Sequence, residues 1–347
     1  MRILVNDIAA SKGGALTILN QVYSYAIQHP DDEWIFMLGS NYLDERSNVH
    51  IVCLPEIKNS HLKKLAFDFF IGKRIIEKYN PDVVLSLQNI ITFGVSVPQF
   101  VYIHQSIPFQ DVKKFSFLKS SERPYAKYQY IIGKIIKISA RKANGIIVQT
   151  DWMKEAVSRK TNVNMDNIIV CFPDVEFMQF EKNCEYHSNN FFYPTSDAIY
   201  KNNTVIIEAC EILNDRGIKD FKVYMTLPNG KIQHPNIECI NYINREDVFQ
   251  YYQTSNLLFP SYIETIGLPL VEAMSVDGVI IAAKCPYAEN VLSGYSKSYL
   301  FDPFNAGQLA ELMERVMLTK QHSNGKKYKR DQKSEWGKAF SFIKSKR

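Results

Sequence analysis

No stretch of this 347-residue chain holds the roughly twenty consecutive apolar residues of a membrane-spanning helix, and the sequence predicts none. Residues 1–14 carry Asp7 and Lys12 where a secretion signal has an apolar run, which predicts a cytoplasmic protein. Cysteine is sparse and scattered: Cys53, Cys171, Cys184, Cys210, Cys239 and Cys285 form no C-x-x-C pair and have no His at metal-ligand spacing. They read as reduced, mostly buried thiols. The G-x-G-x-x-G fingerprint is missing after the first predicted strand, which argues against a nicotinamide-dependent oxidoreductase. Neither a helix-turn-helix nor a zinc-finger pattern is present, so a nucleic-acid-binding protein is a distant alternative and no nucleic acid is expected as partner.

What is present suffices for large cores. Hydrophobic residues make up 46% and charged residues 22%, with 21 Phe and 20 Tyr, which excludes disorder and collagen-like repeats. The length favours two domains. The formal net charge is +5, but the basic residues are concentrated. Nine lie between residues 111 and 142 (Lys113, Lys114, Lys119, Arg123, Lys127, Lys134, Lys137, Arg141, Lys142) against Asp111 and Glu122. Nine more follow from 326 to 347 against Asp331 and Glu335, leaving the rest of the chain net acidic. Basic segments on an acidic body predict an anionic surface as partner. In the first of them Phe115, Phe117, Tyr125, Tyr128 and Tyr130 alternate with the cations, as in a surface that sits among lipid headgroups.

Short β-rich runs alternate with helical periodicity from the first residue, the pattern of a parallel sheet covered by helices. Strands are predicted at 2–5, 34–38, 50–54, 82–87, 99–104 and 145–149, with a Gly13-Gly14 turn before a helix over 15–27 and a second helix over 61–79. A second series has helices at 203–216, 245–254, 268–275 and 306–318 and strands at 222–225, 256–259 and 279–282. The expected organisation is a Rossmann-like domain over 1–172, joined by the tail 325–347, then a linker over 173–190 and a second Rossmann-like domain over 191–324. Such an α/β protein binds ligands at the carboxyl ends of its strands.

The most informative segment runs from Phe259 to Met274. A buried strand ends at Pro260, a loop holds Glu264, Gly267 frees the backbone, and Pro269 sits in the first turn of a helix, where proline is tolerated. The backbone amides of Ile266, Gly267 and Leu268, with the positive end of the helix dipole, form a ready anion site. Glu264 lies in the loop and Glu272 inside the helix, so the two carboxylates can address different hydroxyls of one elongated ligand. The plainer alternative is two acids favoured by a helix start.

This segment resembles the E-x7-E motif of retaining GT-B glycosyltransferases, of the glycosyltransferase family 4 (group 1) type. The similarity extends over 199–318 and continues, more weakly, over 1–174. It implies two Rossmann-like domains facing each other across a cleft, with the C-terminal helix returning to the first. It also implies that Glu264 contacts the donor sugar and Glu272 holds the ribose hydroxyls. Gly13 and Gly14 match the glycine loop at the donor diphosphate, His104 a histidine beside the donor sugar, and Lys201 the diphosphate-binding lysine. The arginine that often precedes that lysine is missing, since residues 192–199 hold no basic side chain; Lys12, in the glycine loop, is the candidate replacement.

The implied activity is sugar transfer from a nucleotide-diphosphate sugar to a glycan, one carried on a lipid in surface polysaccharide assembly, at the inner face of the cell membrane. Neither a metal nor a cofactor is expected beyond the nucleotide-sugar substrate; Asp174-Val175-Glu176 falls in the linker. Sugar-nucleotide epimerases and phosphorylases share this architecture and are the enzymatic alternatives.

Overall fold

Runs such as Val83–Ser86 and Ile280–Ala283 are buried at every residue, which is what a parallel sheet covered on both faces demands of its strands. The computed structural model describes residues 1–10, 13–175, 185–319 and 334–347. Contacts divide the chain into Met1–Asp174 with Gln332–Arg347, and Val175–Asp331.

In the first unit β1 (Arg2–Asp7), β2 (Glu33–Leu38), β3 (Val49–Cys53), β4 (Val83–Ser86), β5 (Gln99–Ile103), β6 (Gly145–Val148) and β7 (Ile168–Val170) form one parallel sheet in the order β3-β2-β1-β4-β5-β6-β7. The register sets Leu4 beside Ile35 and Val5 beside Leu85. One face packs against helix Gly14–Ile27 through Ile18, Leu19, Val22 and Ala26. The other packs against Ile57, Phe67 and Ile76.

Helix Trp336–Lys346 belongs to this unit and completes its first face. Trp336, Phe340 and Ile343 are fully buried, each contributing roughly 1.5–3 kcal/mol of apolar burial. Phe340 stacks on Tyr25 with centroids 4.5 Å apart. Asp32 ties both chain ends to the sheet, bonding the N-terminal ammonium at 3.0 Å and Lys344 at 2.7 Å.

The helix expected over 61–79 is interrupted. His61–Ala66 and Gly72–Glu77 are α-helical, with a π-helical turn at Phe67–Ile71 between them. The basic segment repeats the design: Arg123–Ala126, a π turn at Lys127–Ile132, then Gly133–Lys142. Each π turn ends at a glycine against which another segment presses. A Cβ on Gly72 would lie 2.6 Å from Thr92, and one on Gly133 would lie 2.8 Å from Pro108.

In the second unit β8 (Asn190–Tyr193), β9 (Lys222–Met225), β10 (Ile237–Cys239), β11 (Asn256–Phe259), β12 (Ile280–Ala283) and β13 (Ser298–Phe301) form a parallel sheet in the order β10-β9-β8-β11-β12-β13. β8 begins inside the stretch expected as linker. The Asn-rich approach reads as a loop, yet its polar groups serve the sheet: Asn256 Nδ2 donates to the carbonyls of Ser188 at 2.7 Å and Asn190 at 3.0 Å. Four cysteines, Cys171, Cys210, Cys239 and Cys285, are buried and Cys53 is exposed; Cys184 lies outside the described residues.

Candidate functional site

The second unit gathers its candidates at the carboxyl end of β11. The loop after Phe259 is fastened to the 3-10 turn Ile199–Lys201 and its cap Asn202: Tyr262 N donates to Tyr200 O at 3.0 Å, and Asn202 Nδ2 to Pro260 O at 3.4 Å. Asn202 takes a left-handed φ of 58°, which Asn tolerates better than most residues. This fastening brings Lys201 to Glu264 across 63 residues. Lys201 Nζ donates to Glu264 Oε1 at 2.6 Å, and Ser261 Oγ donates to the same oxygen at 2.8 Å. Both charged side chains are about one-fifth exposed, so the pair is reachable by a ligand.

Gly267 has a φ of 75°, and a Cβ there would approach Tyr287 at 3.0 Å and Phe259 at 3.1 Å. Glycine is therefore required by conformation and by space alike. Helix Leu268–Ser275 follows with Pro269 in its first turn. The amides of Gly267 and Leu268 lack an intrahelical acceptor, as at every helix start. Lys201, Glu264 and this helix start make one compact polar site.

Glu272 lies one turn further along, and neighbours that the sequence reading missed hold it. Tyr252 OH donates to Oε2 at 3.0 Å, and Arg245 stands 3.5 Å from Oε1. Burial pushes the Glu272 carboxyl above its usual range, against the hydrogen bond from Tyr252 and the attraction of Arg245. Both partners come from helix Arg245–Thr254, whose start is capped by Asn244 accepting from Asp247 N at 2.9 Å. That cap is the sequence signal nearest Arg245, and it marks a helix start rather than a site.

His104, Gly13 and Gly14 belong to the first unit. His104 follows β5. Asn89 Oδ1 accepts from the amides of His104 at 2.8 Å and Gln105 at 3.0 Å, so its Nδ2 faces His104 Nε2 at 3.2 Å as donor. Burial, and then the nearby Lys64 ammonium, lower the His104 pKa to about 4, which leaves a neutral ring at physiological pH. Gly13 precedes helix Gly14–Ile27 with a positive φ of 63°. A Cβ on Gly13 or Gly14 would meet nothing within 4 Å, so the turn leaves open space beside its backbone. Lys12, Glu176 and the tail over 325–333 lie outside the described residues.

Among the described residues no cluster of three or more His, Cys, Asp or Glu is placed to hold a metal ion. No helix among them is long and apolar enough to cross a membrane. A cavity of about 620 Å³ lined by Asn189, Asn214, Asp220 and Asn236 lies at the amino ends of β8 and β9, the edge opposite Glu264.

Comparison with known proteins gives this geometry a context. Residues 231–333 match the family model "Glycosyl transferases group 1", a span that includes Glu264 and Glu272. No curated protein matches the chain by sequence. Among solved structures, the lipopolysaccharide outer core galactosyltransferase WaaB is similar with a TM-score of 0.63 at 15% identity, covering 100% of both chains. HepE of Anabaena, in complex with UDP-glucose, is similar with a TM-score of 0.61 at 14% identity over 93% of this chain and 91% of that one. Sucrose-phosphate synthase of Thermosynechococcus elongatus gives 0.62 at 12% identity over 91% and 90%. The chain therefore has the GT-B fold of two Rossmann-like domains, and residues 231–333 match the glycosyl transferases group 1 model.

Proposed function

We propose that this chain is a retaining glycosyltransferase of family 4 type, which takes a sugar from a nucleotide-diphosphate sugar and passes it to a lipid-linked glycan at an anionic membrane surface. The observation that carries the reading is the pairing of Lys201 with Glu264 beside the Gly267 turn and the start of helix Leu268–Ser275. A departing nucleoside diphosphate gathers negative charge. A lysine, a helix start and glycine-loop amides supply fixed positive charge without reorganising at the moment of reaction.

In this reading Lys201 turns from Glu264 toward the diphosphate, helped by Gly13, Gly14, Lys12 and the amides of Ile266, Gly267 and Leu268. Glu264, released, accepts from the donor sugar's hydroxyls. Glu272, steadied by Tyr252 and Arg245, accepts from the ribose. His104 is neutral and acts as a hydrogen-bonding group beside the sugar. The acceptor hydroxyl attacks on the face from which the diphosphate leaves, and its proton passes to the leaving phosphate oxygen, so no protein nucleophile and no metal are needed.

Support for the substrates comes from the relatives in fold: HepE is described in complex with UDP-glucose, and WaaB as a lipopolysaccharide galactosyltransferase. Support for the membrane comes from residues 113–142, where Phe117, Leu118, Tyr128, Tyr130 and Ile131 are exposed among the cations. Phe115 is not part of that surface; it is buried and packs on Tyr125 at 5.2 Å.

The test is turnover with a panel of UDP-, GDP- and dTDP-sugars and glycan acceptors, with the product's anomeric configuration read by NMR. Retention is expected, and activity is expected to survive excess EDTA. An inverted product overturns the retaining mechanism, and loss in EDTA restored by Mn²⁺ overturns the metal-free one.

A further inference from the structure

The cavity at the amino ends of β8 and β9 lies on the edge of the second sheet opposite Glu264, and the proposed reaction makes no use of it. Its volume, about 620 Å³, falls within the roughly 300–1,000 Å³ of small-ligand sites. Asparagine side chains fasten its walls. Asn236, 5% exposed, donates from Nδ2 to the carbonyls of Lys219 and Phe221, each at 2.9 Å. Asn189 Nδ2 donates to Asp220 O and Oδ2, each at 3.2 Å, and Lys222 Nζ donates to Pro235 O at 3.0 Å. The turn over 219–222 is thereby held from both flanks, which lowers the cost of ordering it around a ligand.

This network leaves one group unmet. Both amide hydrogens of Asn236 are spent on carbonyls, so its Oδ1 accepts, and Asn214 Nδ2 donates to it at 2.9 Å. That bond fixes which way the Asn214 amide points. Its Oδ1 is then an acceptor, buried with no partner. A native fold seldom leaves a buried acceptor unsatisfied, so this wall calls for a donor from outside the chain.

Charge narrows the ligand further. Asp215 and Asp220 line the cavity together with Lys219 and Lys222, so neither an anion nor a cation gains a net attraction there. Asp215 and Lys219 are exposed, one as an acceptor and the other as a donor. A matching ligand gives hydrogens to Asn214 Oδ1 and Asp215, takes them from Lys219, and carries no net charge. Hydroxyls do both, and adjacent hydroxyls on pyranose rings offer them in quantity. We propose that this cavity is a second carbohydrate site, which takes a neutral stretch of glycan through its hydroxyls. The inference rests on the transferase reading for the source of that glycan, the acceptor or the lengthened product. Holding a long chain apart from its reacting end raises the effective concentration of that end, and it leaves a single-sugar acceptor unaffected.

The experiment is saturation-transfer NMR and calorimetry on the full chain. The neutral probes are maltotriose, mannotriose and the N-acetylglucosamine trimer; trigalacturonate and the glucosamine trimer are the charged controls. The variants are Asn214→Leu and the double variant Asp215→Ala with Lys219→Ala, each checked for native melting. At least one neutral trisaccharide is expected to bind the wild type more tightly than either charged trimer. Its affinity is expected to fall about tenfold or more in both variants, while UDP-, GDP- and dTDP-sugars do not displace it and turnover with methyl glycoside acceptors is unchanged. Folded variants that keep the affinity overturn the site, as do displacement by a nucleotide sugar, a preference for a charged trimer, and a wild type that binds no neutral trisaccharide. A wild type whose trisaccharide binding is lost in both variants, yet which turns over no nucleotide sugar, upholds the site and overturns the transferase reading instead.

Discussion

In the second unit Lys201 stands 2.6 Å from Glu264, and Glu272 is flanked by Tyr252 and Arg245. In the first, the buried Asp7 and Asp68 feel the Lys64 ammonium, which among the described residues forms no ion pair within 4 Å. Both groups lie at the carboxyl ends of parallel strands. The paired charges satisfy one another. The buried aspartates without an ion pair are a cost of folding. Burial accordingly pushes Asp7 and Asp68 up to about 7, against the attraction of Lys64.

The contrast breaks first at Glu264. Glu264→Gln keeps the side chain's size and the Ser261 bond but removes the charge that opposes Lys201 and that, in the proposed function, receives the sugar. Turnover is expected to fall by more than about tenfold, roughly 1.4 kcal/mol of barrier, with the circular dichroism spectrum unchanged. A folded Glu264→Gln protein with wild-type turnover would falsify its assignment.

A smaller effect of the opposite sign is expected at Asp68. An aspartate held at about 7 when folded and at 3.8 when unfolded binds a proton only in the native state between those values, so its contribution to stability falls as pH rises through that window. Asp7 acts in the same sense. His104, lowered from 6.5 to about 4, acts in the other: stability rises with pH between those two values. Two aspartates against one histidine leave a net decline up to pH 6.5, and the aspartates alone continue it to about 7. Asp68→Asn, which mimics the protonated acid, should raise Tm at about pH 7.5 and change it little at about pH 4.5. Each kcal/mol corresponds to roughly 2–4 °C in a protein of this size. Equal shifts at the two pH values would show that the carboxylate is not a strained ion.

The weakest expected effect separates the surfaces of the units. Helix 61–77 exposes Leu62, Leu65, Phe69, Phe70 and Ile71 beside Lys63, Lys73 and Arg74, while its Asp68 is buried and its Glu77 is bound by Ser96 at 2.7 Å. The Phe93 ring stacks on Phe69 at 4.7 Å and lies 5.6 Å from the Lys142 ammonium, joining this face to the basic segment. Among the described residues of the second unit the exposed large apolar side chains, Tyr242, Leu268, Phe304 and Leu318, are separated along the chain rather than grouped. Binding to phosphatidylglycerol vesicles should weaken with salt, at about 1 kcal/mol per basic residue near the surface. Phe70→Ser and Leu118→Ser should each reduce it severalfold. Equal binding to neutral and anionic vesicles at low salt would leave only a solvated face.

Much of the fold was legible in residue order. The Gly267, Pro269 and Glu272 pattern announces a strand, turn and helix because each signal is local: a positive φ, a proline at a helix start, a helical period of about 3.6. β8 was hidden because Ser188, Asn189 and Asn190 have the composition of a loop, while the groups they bond, on Asp220 and Asn256, lie far along the chain. The π turns were hidden too, since an extra residue in a helical turn keeps the apolar composition and shifts only the phase.

The sequence by itself determined two parallel-sheet domains, the helix that starts after Gly267 and the acids at positions 264 and 272, because hydrophobic period and backbone propensity act between near neighbours. Only the tertiary structure decided that Lys201 answers Glu264, that Arg245 and Tyr252 hold Glu272, that Gln88 bonds Asp68 and that Asn89 bonds His104. Those meetings depend on which strand ends are brought side by side, and burial then sets the charge state of each group. Neither is encoded in the spacing of residues along the chain.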